Sequence, residues 1–327
     1  MSNQPDPTPA PPSRPADSLH KSWIYRWAPD FTLPYLQLMR ADRPIGVWLL
    51  LWPCLWSIAM ASHFLASTTT IPDLWAIGLI PSPEMIILFA LGAFIMRGAG
   101  CTLNDIVDRD FDAAVARTQA RPLPSGRISR RQAMLFMIGL CLLGLVILLQ
   151  FNTYTVFLGV SSLALIIIYP FMKRITYWPQ AWLGLTFNWG VLMGWSAVTG
   201  TLNLPAFCLY AAGWCWTMGY DTIYAHQDKE DDMIVGVKST ALRFGDHTKH
   251  WLCGFYSLQI VLFTMTGLLV NMPSLYFIGL IFCAAHLIWQ IKTLDIQAPD
   301  NCLMLFKANH GFGALYFLVI LLGHYAS

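Results

Sequence analysis

Long apolar runs broken by short polar joints dominate this chain. A helix that crosses a bilayer needs about 20 mostly apolar residues. Nine runs approach that length, at 45–65, 82–102, 133–150, 154–172, 179–199, 204–224, 251–270, 274–291 and 309–325. The pattern predicts an all-α, polytopic membrane protein with nine transmembrane helices. The joints at 150–154 and at Asn271–Ser274 read as tight helical hairpins. The run 179–199 is the weakest, because it holds Asn188 and several glycines, and it is retained because the topology needs it. Residues 1–20 carry six prolines and almost no large apolar side chains, so they are expected to form a disordered tail. Residues 21–327 are then a single transmembrane domain.

Composition agrees with a lipid-embedded chain: only 12% of residues are charged, against about 25% in soluble domains. The net charge of +2 says little, but its distribution is informative. Nineteen of the twenty Lys and Arg lie in the segment up to Arg43 or in the joints 103–132, 173–178, 225–250 and 292–308. The opposite joints, 66–81, 151–153, 200–203 and 271–273, hold none. By the positive-inside rule, the amino terminus and the charged joints face the cytoplasm. The tail has Asp6, Asp17 and one Arg, and no apolar stretch, which argues against a transit peptide or a cleaved signal and favours a bacterial inner membrane. Eight cysteines, none in a CxxC, read as small buried hydrophobes and exclude a zinc or iron–sulfur site. No nucleic-acid partner is expected.

Against this apolar background stand two acidic clusters. The first runs from Asn104 and Asp105 through Asp108 and Asp110 to Asp112; the second holds Asp221, Tyr224, Asp228, Asp231 and Asp232. Carboxylates beside a bilayer core are costly, so such residues point to function. Asn104, Asp108 and Asp112 are spaced by four and share one helical face; Asp221, Tyr224, Asp228 and Asp232 are spaced three, four and four and share another. Oxygen ligands of this kind suit Mg²⁺, which takes one or two carboxylates and fills its shell with water and substrate phosphate. A lone DxxxD also arises in solvated loops. Two on the same side, four spans apart, suggest two four-helix halves plus a ninth helix around a central cavity that opens to the cytoplasm. Asp105, Asp110 and Asp231 fall off these faces and are expected in solvent or paired with Arg109 and Lys229.

Arg97 is the one basic residue inside a span. It lies seven residues before Asn104, about 10 Å deeper along the same face. A bare Arg there needs a partner, either the carboxylate of a small substrate or a buried acid. Six Arg lie between 109 and 131, some placed to grip a diphosphate and the rest to set topology, and Ser129–Gln132 fits a capping box that opens the third span. Gly236–Thr240 mimics the end of a phosphate-binding loop, but it lacks the first Gly and follows a helix. His226 lies off the acidic stripe and reads as a bystander.

Several segments together resemble the UbiA superfamily of intramembrane prenyltransferases, most closely the branch that prenylates 4-hydroxybenzoate. They are Arg40–Gly46, Arg97–Asp105, Arg117–Leu123, Tyr169–Arg174 with Pro179-Gln180, and Gly236–Ala241, within a likeness covering about residues 35–325. The resemblance implies a Mg²⁺-dependent transfer of a polyprenyl group from polyprenyl diphosphate to 4-hydroxybenzoate, ortho to the phenol, in ubiquinone biosynthesis. It implies that Asn104, Asp108, Asp112, Asp221, Asp228 and Asp232 manage Mg²⁺ and diphosphate, and that Arg97 meets the benzoate. The chemistry adds Arg43, Arg117 and Lys173 beside the metals, where leaving-group charge develops, and the ring faces of Tyr169 and Tyr224 for the allylic cation. Another aromatic acceptor is the nearest alternative. A cation-coupled transporter is the alternative from another class, but transport sites favour the midplane and broken helices, whereas these acids cluster at one membrane face.

Overall fold

The computed structural model describes residues 22–68, 81–114 and 118–325. Two short helices, α1 (Ile24–Trp27) and α2 (Leu33–Leu38), precede the first long one, α3 (Ile45–Thr68). Then come α4 (Pro83–Ala114), α5 (Arg130–Leu148), α6 (Thr153–Ile175), α7 (Pro179–Phe187), α8 (Trp189–Thr199) and α9 (Leu204–Ala225). After the short helices α10 (Lys229–Val235) and α11 (Thr240–Phe244), the chain closes with α12 (Thr248–Leu269), α13 (Ser274–Thr293) and α14 (Pro299–Tyr325). No strand occurs among the described residues. The tail 1–20 and Arg117 lie outside them, and so do the side chains of Asp231 and Asp232.

Local chemistry sets several of these boundaries. Ser129 and Gln132 form the expected capping box at the start of α5, with Ser129 N donating to Gln132 Oε1 at 2.9 Å and Gln132 N to Ser129 Oγ at 3.2 Å. Asn152 caps α6 by accepting from Thr155 N at 2.9 Å, so the α5–α6 hairpin is as tight as its sequence predicts. The last turn of α6 carries Lys173 and Arg174, which complement the negative end of the helix dipole.

Seven stretches are long and apolar enough to cross a membrane among the described residues: α3, α4, α5, α6, the Thr240–Leu269 stretch that includes α12, α13 and α14. The predicted spans 179–199 and 204–224 do not meet that standard. The first is broken at Asn188, which ends α7 and precedes α8; the second is present as the 22-residue α9, which carries Tyr210, Trp214, Trp216, Tyr220 and Tyr224 along with Asp221. The two are tied together in the interior. Asn188 Nδ2 donates to Gly184 O and to Thr217 Oγ1, both at 2.8 Å, so a buried amide bonds the broken helix to α9.

The helices close on one another in a bundle. α3 packs on α4, α8 and α14, α4 on α5 and α6, α7 on α6 and α9, and α12 on α9 and α13. One end of the core is aromatic. Trp56, Trp216, Phe263 and Tyr316 interlock, with Phe263 and Tyr316 stacked and Trp56 edge-on to both. Both indole N–H groups find acceptors, Trp56 on Gly313 O at 2.9 Å and Trp216 on Asn309 Oδ1 at 2.8 Å. This mass lies among α3, α9, α12 and α14 and leaves the space between α3, α4, α6, α7, α8 and α9 open.

Of the eight cysteines, Cys54, Cys101, Cys208, Cys215, Cys283 and Cys302 are buried, as expected, whereas Cys141 is half-buried and Cys253 is exposed.

Candidate active site

That open space is a cavity of about 800 Å³. Its walls include Asn104, Asp108 and Asp112 from α4 and Asp221, Tyr224 and Asp228 from α9 and the turn after it. Arg43, Arg97, Tyr169 and Lys173 line it too. The two acidic clusters, more than a hundred residues apart in sequence, therefore face one chamber. Arg40, Asp105, Arg121, Gln180 and Lys238 add to the polar part of the lining, and much of the remainder is apolar, with Leu142 and Leu145 from α5, Leu163 and Ile166 from α6, and Phe187, Trp189 and Met193 from α7 and α8.

The first cluster sits on a helix rather than in a joint. α4 runs on to Ala114, three turns past the predicted end of its span, and this extension places the Asn104, Asp108 and Asp112 stripe on the cavity wall. The second cluster does not lie on one continuous α-helix. α9 stops at Ala225, and a 3₁₀ turn over His226–Asp228 leads into α10. Asp221, Tyr224 and Asp228 nonetheless line the same chamber. Burial lowers the His226 pKa to about 4, with nearby Lys229 adding to the effect, and its ring meets Thr248 Oγ1 at 2.9 Å. It packs against α12, away from the acidic stripe.

The carboxylates are gripped by cations. Asp108 is buried and takes Lys173 on one oxygen and Arg174 Nη2 at 3.1 Å on the other. Arg121 Nη1 spans both oxygens of Asp112 at 2.9 and 3.0 Å. Arg43 pairs with the buried Asp42 at 3.0 Å. Arg174 also lies over the ring of Phe111, 4.7 Å from its centroid. Arg174 and Arg121 were not chosen from sequence as ligands of the site. Adjacency to Lys173 was the available signal for the first, and the Arg117–Leu123 motif for the second.

Asp105 corrects an expectation. Because it falls off the acidic face, it was expected in solvent or paired with Arg109 or Lys229. In the structure it is 0% exposed, and Arg40 Nη2 donates to its Oδ1 at 2.6 Å. The inner end of the Arg40–Gly46 segment packs over that side of α4 and closes it from water. Asp110, in contrast, is exposed as expected.

Arg97 lies deeper in the cavity. It donates to Cys101 Sγ one turn on, and its guanidinium sits over the ring of Phe187, 5.5 Å from the centroid. Its Nε is buried without a hydrogen-bond partner. Asp221 is near enough to interact with it electrostatically, so an acid does lie at that depth.

The donor set of both motifs is oxygen throughout, the chemistry of a hard cation. Among the described residues no three His, Cys, Asp or Glu side chains cluster closely enough to hold a metal on their own. Mg²⁺ needs only one or two carboxylates when water and phosphate complete its shell, so this spread set fits a Mg²⁺–diphosphate better than a bare ion.

A bundle of helices long and apolar enough to span a membrane, with two acidic motifs lining one largely apolar chamber, has the build of an intramembrane enzyme for an anionic, lipid-tailed substrate. Residues 50–316 match the model of the UbiA prenyltransferase family, and the chain belongs to that family. It is 50% identical over 293 residues to the mitochondrial 4-hydroxybenzoate polyprenyltransferase of Drosophila pseudoobscura pseudoobscura, which covers 89% of this chain and 70% of the relative. It is 47% identical over 309 residues to the human mitochondrial protein of that name, covering 94% and 80%. In solved structures, the fold matches a UbiA homolog from Aeropyrum pernix K1 with a TM-score of 0.65 at 22% identity, over 85% of this chain and 97% of that one. It also matches a UbiA homolog from Archaeoglobus fulgidus bound to DMAPP and Mg²⁺, with a TM-score of 0.62 at 18% identity, over 90% and 99%. The relatives overturn the bacterial placement drawn from the tail's composition. These close homologues, in insects, plants and mammals alike, are mitochondrial. A proline-rich segment that lacks an amphipathic, arginine-rich pattern is weak evidence about compartment.

Proposed function

We propose that this protein transfers a polyprenyl group from polyprenyl diphosphate to the 3-position of 4-hydroxybenzoate, in a mitochondrial membrane and in the service of ubiquinone synthesis. One observation carries the reading: both acidic motifs and Arg97 line a single chamber that also has extensive apolar walls. Residues 21–327 act as one transmembrane unit, and the acidic mouth opens to the compartment that holds the Lys- and Arg-rich joints.

Asn104, Asp108, Asp112, Asp221, Asp228 and Asp232 would hold Mg²⁺. When bound, Mg²⁺ supplies Lewis-acid stabilisation of the diphosphate as it leaves. Lys173, Arg43 and Arg117 add fixed positive charge at the same end, where the leaving group's charge develops. The apolar walls exclude water from the allylic cation, and the faces of Tyr169 and Tyr224 offer it π-density. Arg97 receives the benzoate carboxylate about 10 Å below Asn104 along α4, which leaves the phenol ring in the interval between carboxylate and diphosphate. The ring carbon ortho to the phenol attacks the cation, and the proton on that carbon then departs to restore aromaticity.

The direct test is a membrane assay with radiolabelled 4-hydroxybenzoate, a polyprenyl diphosphate and Mg²⁺, with and without EDTA. Label in a lipid-soluble product that disappears on chelation is the expected result. No product across several donor lengths would move the acceptor to another aromatic acid.

A further inference from the structure

We propose that Asp105 is a positioning residue for the donor diphosphate, holding Arg40 and Arg121 as a cationic pair at the cavity mouth. The proposal rests on the prenyl-transfer reading above. Asp105 lies outside the Asn104, Asp108 and Asp112 stripe, yet it is fully buried and lines the same chamber. Its Oδ1 takes Arg40 Nη2 at 2.6 Å and faces Arg121 Nη1 at 3.6 Å. One carboxylate thus joins guanidinium groups from two separate segments, one before α3 and one after α4, and both groups line the cavity. Without a shared anion, two guanidinium groups this close would repel one another.

The platform beneath them is fixed. Leu38 and Ile106 pack with Leu123, Ile128 and Ala133 in a small apolar cluster that seats both segments on α4 and α5. Arg40 itself holds a left-handed backbone, φ 58°, which side chains other than glycine rarely adopt. Its Nη1 is further fixed by Gln37 O at 3.1 Å. Thr118 Oγ1 donates to Asp112 O at 2.8 Å and so ties the second segment to the end of α4.

The division of labour follows from the pairing. Arg121 has two carboxylate partners, Asp112 on the acidic stripe and Asp105 off it. If Asp112 turns to a metal, Asp105 still holds Arg121 in place. A planar guanidinium held in this way suits the oxygens of a diphosphate.

The test is Asp105→Asn in the full chain, read by binding of inorganic pyrophosphate as well as by kinetics. The expected result is a rise of about tenfold in both the pyrophosphate Kd and the KM for polyprenyl diphosphate, with the KM for 4-hydroxybenzoate within about twofold of wild type. Asp105→Glu should recover part of the pyrophosphate affinity. Lower thermal stability with an unaltered pyrophosphate Kd and donor KM would overturn the proposal and leave Asp105 a purely structural anchor. Should Asp105→Asn fail to fold, Arg121→Gln decides by the same split: weakened pyrophosphate binding supports the proposal, and wild-type binding refutes it. A wild-type protein that binds pyrophosphate but prenylates no 4-hydroxybenzoate would fault the acceptor reading and leave the Asp105 assignment to stand on binding.

Discussion

Gly46 makes room for Arg97. A Cβ added at Gly46 would lie 2.5 Å from Arg97 Nε and 2.9 Å from Nη2, closer than real side chains approach. The first residues of α3 therefore press directly on the guanidinium that lies deep in the chamber. This contact explains why a glycine ends the Arg40–Gly46 segment. The requirement is space for a neighbour, since Gly46 needs no unusual backbone angle.

The consequence is testable on either partner. Arg97→Ala should raise the KM for 4-hydroxybenzoate by ten- to a hundredfold, roughly the value of one charge-assisted hydrogen bond. The KM for the prenyl diphosphate should barely move. Gly46→Ala should act in the same direction, more weakly, by displacing the guanidinium. Equal shifts for both substrates would rule out the carboxylate-clamp role.

Asp108 and Asp228 belong to opposite motifs but to the same chamber. Asp108→Asn or Asp228→Asn should each lower turnover by a thousandfold or more, on the order of what an essential charged group in an active site supplies. Detergent-solubilised variants should still elute as folded protein. Near-wild-type turnover in either would argue that its motif does not hold the metal.

The Asn188 bond to Thr217 predicts a stability effect that activity at the metal does not. Asn188→Leu removes the amide that joins α7 to α9 and should destabilise the protein by about 1–2 kcal/mol, in the range for interhelical hydrogen bonds in membranes. Gly213→Ala should be more damaging, because its Cβ would come 2.1 Å from Asn188 Oδ1. Thermal unfolding in detergent measures both. A Gly213→Ala variant as stable as wild type would mean that α7 and α9 can part at this crossing.

The helical class, most span positions and the facing of the two acidic stripes were legible because they depend on local pattern. Apolar length marks a span, and a spacing of four marks a face. What escaped was set by contacts across the bundle. Asp105 falls off the acidic face by helical phase alone, and the distant Arg40, with Arg121, covers its side of α4. The acidic motif of α9 appears continuous in sequence, yet the helix stops at Ala225, before Asp228. The acid that Arg97 influences, Asp221, belongs to another helix whose register against α4 no local pattern fixes. Compartment was the least legible, since a short polar tail constrains it weakly.

The break at Asn188 also bears on how these helices are held in the bundle. α7, α8 and α9 do not reach the length and apolarity that let α3 or α5 partition into lipid independently. Two hydrogen bonds join them: Asn188 Nδ2 to Thr217 Oγ1 at 2.8 Å, and Tyr210 OH to Leu185 O at 2.9 Å. Packed together, the three helices supply hydrogen-bond partners that lipid cannot offer. The polar joint at Asn188 thus makes α9 a partner that the broken helix needs in order to lie in the bundle interior.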